Sequence, residues 1–302
     1  MAKQDGHPPR TSPRPPHRRA FAVLLVGNLA LAFGPWLVRL ADTGAVAAGF
    51  WRLTLAIPLL ALLGHAVGQP LRWPGRATFT TVALAAIFFA ADLAAWHLGI
   101  RLTTLGNATL FGNVGSFIFA AWGLWLARRW PGPLQGAALL LAAAGSALLM
   151  AKSAEVSTAH LRGDLLALAA GVFYGLYFIF VERTRAALAP LPLLVIGSII
   201  GAALLLPTAL AMGEQVIPRD WTPLLALAIG SQLIGQGLLV FAIGEVPPLV
   251  VGLALLTQPA ISAAIGWLSY GEQLDLTDFL GAAAIAAALI LVRLRPAAPR
   301  AI

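Results

Sequence analysis

Residues 104–126, TLGNATLFGNVGSFIFAAWGLWL, and residues 248–270, PLVVGLALLTQPAISAAIGWLSY, decide how this chain reads. Each is long and apolar enough to cross a hydrocarbon core about 30 Å thick, which takes roughly 20 helical residues. Overlaid at an offset of about 145 residues, they and their flanks coincide without gaps: Gly99, Trp122, Trp125 and Gly136 fall on Gly244, Trp267, Tyr270 and Gly281. Working outward, the same ruler places apolar spans at 20–40, 45–66, 77–98, 104–126, 132–151, 164–184, 190–212, 222–243, 248–270 and 276–293. They form two sets of five.

An odd number of spans per half means that the second copy inserts upside down. The loops differ as inversion requires, with Arg128 and Arg129 after the fourth span but Glu272, Asp275 and Asp278 after the ninth. Inverted repeats let one segment, used twice, supply two alternating gates around a midplane site, which is a common construction for secondary transporters. The expected fold is an all-α membrane protein of ten helices. Its parts are a basic, disordered tail at 1–19, a first repeat at 20–152, a linker at 153–163, a second repeat at 164–293 and a short tail at 294–302.

Composition agrees. The 302 residues are 59% hydrophobic and 11% charged, against about 25% charged in soluble domains. Cysteine is absent, which excludes disulfides, thiolate metal sites and thiol nucleophiles. The net charge of +8 sits at span ends and in the tail, a membrane-orientation pattern and not a nucleic-acid face. With the N-terminus inside, fourteen Lys and Arg residues fall on the cytoplasmic side. Five (Arg39, Arg101, Lys152, Arg162 and Arg219) fall outside, and Arg52 lies within a span. Both termini are therefore expected in the cytoplasm.

The segment Gly106-Asn107-Ala108-Thr109-Leu110-Phe111-Gly112-Asn113 resembles the fourth span of the drug/metabolite transporter superfamily, EamA-type branch. Leu256-Thr257-Gln258-Pro259 and the run Gly266 to Glu272 resemble its ninth span and the acidic turn after it. Phe50-Trp51-Arg52-Leu53 resembles the second-span arginine segment, and Gly163-Asp164-Leu165-Leu166 the start of the second copy. The likeness extends over nearly all of 20–293. It implies a ten-helix secondary transporter with a central cavity, of a kind that often exports amino acids or other metabolites. Two departures bear on gating: Gly115-Ser116 stands where the fourth span often has proline, and Ala127-Arg128 where Gly-Glu is common.

Charges deep in a bilayer cost at least about 2.5–3.5 kcal/mol, so each needs a reason. Arg52 and Asp92 sit at similar expected depths on the second and third spans. They read either as sites for a substrate carboxylate and an amine or coupling proton, or as a structural ion pair. His97 reads as interfacial or as a proton relay. Phe88, Asp92, Trp96 and Gly99 recur at helical spacing on one face, and Tyr174, Tyr177 and Phe178 cluster on the sixth span. Such rings line a cavity or simply pack. Asn107, Asn113, Gln232, Gln236 and Gln258 suit a zwitterion or interhelical hydrogen bonds, with Asn28 similar on the first span. Pro35 and Pro259 remove an amide donor and free a carbonyl one turn earlier, as hinges or as fixed bends. Gly171-x-x-x-Gly175 and Gly197-x-x-x-Gly201 permit close helix contact.

Rival chemistries lack their signatures. There is no G-x-x-x-x-G-K-[ST], no H-E-x-x-H around any histidine and no G-x-S-x-G, so neither ATP hydrolysis nor proteolysis nor esterase action is expected. No catalytic residue, metal or cofactor is expected, and no nucleic-acid partner. The expected partners are a small-molecule substrate and the lipid bilayer. The reading is export of amino acids across the inner (plasma) membrane by alternating access, with aromatic or hydrophobic ones preferred. Efflux of cationic drugs and a non-transporting, lipid-interacting role are the alternatives.

Overall fold

In the computed structural model, residues 18–103, 105–128, 130–150, 160–270 and 276–294 are described, some helical positions by their backbone alone, including Asn107 and Pro259. The proline-rich tail before residue 18, residues 151–159 across the end of the first repeat and most of the linker, residues 271–275 with Glu272 and Asp275 of the acidic turn, and the tail from 295 lie outside the described residues. Among those described, every regular element is helical and no strand occurs. The first apolar stretch is α1 (Arg18–Ala32) continued by α2 (Gly34–Leu40). Then come α3 (Ala45–Ala66), α4 (Arg76–Leu102), α5 (Leu105–Gly112), α6 (Val114–Leu126) and α7 (Pro133–Met150). The second half holds α8 (Leu161–Arg185), α9 (Pro190–Ala211), α10 (Thr222–Ala226), a π-helix (Leu227–Gln236), α11 (Gly237–Ile243), α12 (Pro248–Leu255), α13 (Gln258–Tyr270) and α14 (Leu276–Leu294).

Six of the helical segments are long and apolar enough to cross a membrane: Arg19–Leu40, Ala45–Ala66, Arg76–Leu102, Leu161–Arg185, Pro190–Ala211 and Thr222–Ile243. Val114–Leu126, Pro133–Leu148 and Leu276–Val292 are apolar but shorter. Their outward faces carry large apolar side chains such as Leu62, Leu140 and Ile290, as a lipid-facing surface requires. The boundaries follow the sequence reading with one useful difference. Helix α4 runs to Leu102 and ends only where Thr103 turns extended, so Asp92 lies ten residues from its end, about 15 Å at 1.5 Å per residue.

Backbone irregularities are few and cluster by position. The first stretch breaks at Phe33, just ahead of Pro35. The ninth breaks at Leu256 and Thr257, whose amides bond to Leu253 and Ala254 in tight i→i+3 turns, just before Pro259. The fourth breaks at Asn113 without any proline, and the Ser116 amide returns to the Asn113 carbonyl at 3.0 Å. Asn113 is the counterpart of Gln258 at the repeat offset, so the two halves bend at matching places by different chemistry. Pro58, by contrast, sits inside an unbroken α3. The π-helix was not legible in the sequence.

Helix partners follow a regular scheme. The second stretch runs along the seventh (α3 with α9), the fourth along the ninth (α6 with α12) and the fifth along the tenth (α7 with α14). The first lies against the eighth (α1 with the π-helix and α11), and the third along the sixth (α4 with α8). Exchanging the two halves maps this set of partners onto itself. The start of α3 is held by Glu214, whose carboxylate accepts from the Val46 and Ala47 amides at 3.2 and 2.8 Å. A carboxylate there also suits the positive end of the helix dipole.

Glycines set the closest approach. A Cβ on Gly171 would stand 2.6 Å from the Phe111 carbonyl oxygen, and one on Gly175 2.8 Å from Ile118 Cβ. Gly201 would meet Leu53 at 2.6 Å, but Gly197 has nothing within 4 Å. The second small-residue motif therefore contributes one contact glycine, not the expected two. Gly171→Val should lower stability by about 1–3 kcal/mol, because backbone cannot yield as a side chain can. Gly197→Ala should be neutral or stabilise by up to about 1 kcal/mol. Thermal unfolding of the two variants in detergent measures the contrast.

Candidate functional site

A cavity of about 80 Å³ lies among the broken helices, lined by residues that include Pro35, Arg52, Phe89, Asp92, Trp96, Asn113, Tyr174, Gln236 and Gln258. Each break contributes. Gly34 and Pro35 come from the first, Gly112 and Asn113 from the second and Gln258 from the third, while Gln236 closes the π-helix. Irregular backbone is tolerated at membrane depth only where protein or a water-lined cavity satisfies it.

Arg52 and Asp92 face this cavity together, 4% and 9% exposed. They are close enough to interact electrostatically, yet among the described residues no ion pair joins them. Instead Arg52 Nε donates to Gln232 Oε1 at 3.1 Å, and the guanidinium lies 5.6 Å from the centre of the Phe89 ring. The structural ion pair is thus not the arrangement adopted.

The amides behave differently from one another. Gln232 is buried behind Arg52, and its Nε2 donates to Ser198 Oγ at 3.4 Å. Gln236 accepts from the Tyr177 hydroxyl and donates to that of Tyr174, both at 3.2 Å. Tyr174 and Gln236 reach the cavity. Tyr177 and Gln232 do not; they line a smaller apolar recess behind Phe89. Asn113 lines the cavity with its Nδ2 buried and unpartnered. Asn107 and Pro259 lie outside the described side chains.

Gln258 is held by Asn28, a fully buried residue of α1. The Asn28 carbonyl oxygen accepts from Gln258 Nε2 at 2.7 Å, while its Nδ2 donates to the Ala254 carbonyl at 2.9 Å and to Thr257 Oγ1. Asn28 therefore clasps the break between α12 and α13. Its sequence signal was an amide alone in an apolar span, and its partner lies 230 residues away.

His97 is fully buried, not interfacial. Its Nδ1 stands 2.8 Å from the Ala45 carbonyl. Since a carbonyl only accepts, Nδ1 carries the hydrogen and Nε2, which has no partner, keeps the lone pair. The face of α4 toward the cavity is Phe89, Asp92, Leu93 and Trp96. Phe88 instead stacks with Phe173 and Phe180, and Gly99 abuts the backbone of α8 at Gly163 and Ala167. The sequence pattern chose the neighbouring phenylalanine. Nothing in local spacing separates Phe88 from Phe89.

Residues 161–294 match the EamA-like transporter family. Over 272 residues the chain is 29% identical to the threonine/homoserine exporter RhtA of Escherichia coli (strain K12), covering 88% of each chain. It is 27% identical over the same length to the threonine/homoserine exporter RhtA of Salmonella typhimurium (strain LT2). A protein solved by crystallography superposes with a TM-score of 0.78 at 16% identity, covering 91% of this chain and 97% of that one. That likeness concerns the fold alone. The family resemblance is borne out over residues 161–294, which include the ninth span but not the fourth.

The Asn28 clasp gives a test. Asn28→Leu leaves Gln258 Nε2 without its partner and should cost about 1–3 kcal/mol of stability. Chemical unfolding in detergent measures the loss.

Proposed function

The chain carries an EamA-like transporter domain and is homologous to amino-acid exporters, and from that premise we propose that it exports amino acids across the inner (plasma) membrane by alternating access. The observation that carries this reading is one cavity lined by a guanidinium and a carboxylate that are not paired with each other. An amino acid brings the complementary set: its carboxylate goes to Arg52 and its ammonium group to Asp92. Both buried charges then gain a partner, which offsets the cost of holding them in an apolar bundle. A purely cationic drug would meet the Arg52 guanidinium beside Asp92, which disfavours efflux of that class.

In this reading the ten apolar stretches are ten spans in two inverted repeats, with both termini in the cytoplasm. The self-mapping set of helix partners and the charge count of the loops support it. The stretches around the cavity rock, with hinges at the breaks beside Pro35 and Pro259. Helices α7 and α14 pair with each other and supply no cavity lining, which suits a supporting role. Asp92 lines the cavity and is the better placed of Asp92 and His97 to couple transport to a proton.

The preference for aromatic or hydrophobic amino acids rests on the rings of Phe89, Trp96 and Tyr174 along the cavity wall. A second reading is small hydroxylated amino acids, which the amides of Asn113, Gln236 and Gln258 beside Arg52 and Asp92 would suit. The named substrates of the relatives point the same way.

Counterflow into proteoliposomes tests all of this, with excess unlabelled amino acid inside and labelled threonine, homoserine, leucine or phenylalanine outside. Saturable accumulation is expected, and its ranking decides between the two preferences. Arg52→Gln and Asp92→Asn should each weaken binding about 10- to 100-fold, the loss of one charge-assisted hydrogen bond. No accumulation of any amino acid by the unaltered protein would overturn the proposal.

A further inference from the structure

The two glutamines of the π-helix point away from simple substrate contact. Gln232 and Gln236 are each 1% exposed, and each spends its carbonyl oxygen on a donor from another helix: Arg52 Nε for Gln232 and the Tyr177 hydroxyl for Gln236. An amide oxygen accepts and an amide nitrogen donates, so each bond fixes which way round the amide sits. Gln236 must then present Nε2 to Tyr174, and it does so at 3.2 Å.

A tyrosine hydroxyl has one hydrogen. With Tyr174 Oη already accepting from Gln236, its own hydrogen turns elsewhere. The ring is flanked by Tyr177, parallel at 5.8 Å, and by Phe178 at 4.1 Å, and among the described residues no hydrogen bond joins the Tyr174 and Tyr177 hydroxyls. The open side is the cavity that Tyr174 lines. Arg52 is constrained in the same way: Gln232 takes Nε, among the described residues no hydrogen bond takes an Nη hydrogen, and the residue lines the cavity. Arg52, Asp92 and Tyr174 line the same cavity, so the two donors share one neighbourhood.

We infer that Arg52 and Tyr174 form a two-donor clamp for the substrate carboxylate, and that Gln232, Gln236 and Tyr177 are positioning residues that set its hydrogen-bond polarity. The inference rests on the amino-acid reading and names the residues that would make it selective for a free carboxylate. Tyr177 touches no substrate. Its hydroxyl acts through Gln236, and its ring stacks on Phe89 at 4.6 Å, so Tyr177→Phe keeps the packing and removes only the donor. In Gln236→Glu an ionised carboxylate accepts from both tyrosines, which draws the Tyr174 hydrogen back from the cavity; a protonated one keeps the glutamine's polarity, so this variant is read at a pH where it is ionised.

The test is equilibrium binding of L-threonine, L-phenylalanine and their methyl esters to the purified full chain, beside counterflow of the free acids. Tyr177→Phe should weaken the free acids about three- to tenfold, the value of one misoriented hydrogen bond. The ester affinities and the maximal counterflow rate should hold. Gln236→Glu should act in the same sense and more strongly. Equal weakening of acid and ester in both variants would mean a structural role and overturn the clamp, as would an unchanged acid-to-ester ratio in Tyr177→Phe. That variant decides even where Gln236→Glu fails to fold. If the unaltered protein binds neither acids nor esters, the amino-acid reading itself falls, and the clamp with it.

Discussion

Backbone amides and carbonyls inside a hydrocarbon layer have no water to fall back on, and this single requirement organises the molecule. It forces helices wherever the chain faces lipid, and it confines every departure from regular helix to places where protein closes over it. The breaks at Phe33, Asn113 and Leu256–Thr257 and the π-helix at Leu227–Gln236 meet that condition by converging on one cavity. The carbonyl of Ala254, at the break before Pro259, is taken up by Asn28 from another helix. The candidate site and the backbone irregularities thus coincide.

The polar residues of the interior follow from the same constraint. Arg52 is held through Gln232 and Ser198, and Gln236 through two tyrosines; Asn28 and Gln258 hold each other. Two of these networks join helices from opposite halves of the chain, α3 to the π-helix and α1 to the start of α13, and the third joins the π-helix to α8. Helix movement that opened the cavity to one side would have to carry whole networks with it, since an isolated buried amide or charge is costly. The glycine contacts of α8 with α5 and α6 leave no room for sliding within that group. Relative motion is therefore easiest between groups and least easy inside them.

Much of the site could be read early. Arg52, Asp92, Trp96, Asn113, Tyr174, Gln236 and Gln258 were singled out because a polar or aromatic side chain in an apolar span has to be explained, and all of them line the cavity. Other readings went astray for identifiable reasons. Phe88 and Phe89 are adjacent, and only the helix's rotation against α8 decides which one faces inward. Gln232 and Gln236 read alike as substrate contacts or interhelical hydrogen bonds, and only the fold separates them: Gln236 lines the cavity, while Gln232 bonds to Arg52 behind its wall. His97 near a helix end looked interfacial until α4 proved longer and its imidazole was found bonded to Ala45.

The sequence by itself determined the helical class, the ends of most helical stretches, the repeat offset and a short list of polar residues placed within apolar stretches. Those features depend on hydropathy and spacing within some twenty residues, where the bilayer's thickness is the ruler. Only the tertiary structure decided which of those residues share a cavity, that Arg52 turns to Gln232 and not to Asp92, and which way each glutamine amide faces. Those outcomes depend on side chains brought together across as many as 230 residues of chain. Hydrogen-bond direction is a property of the assembled network and is carried by no local stretch.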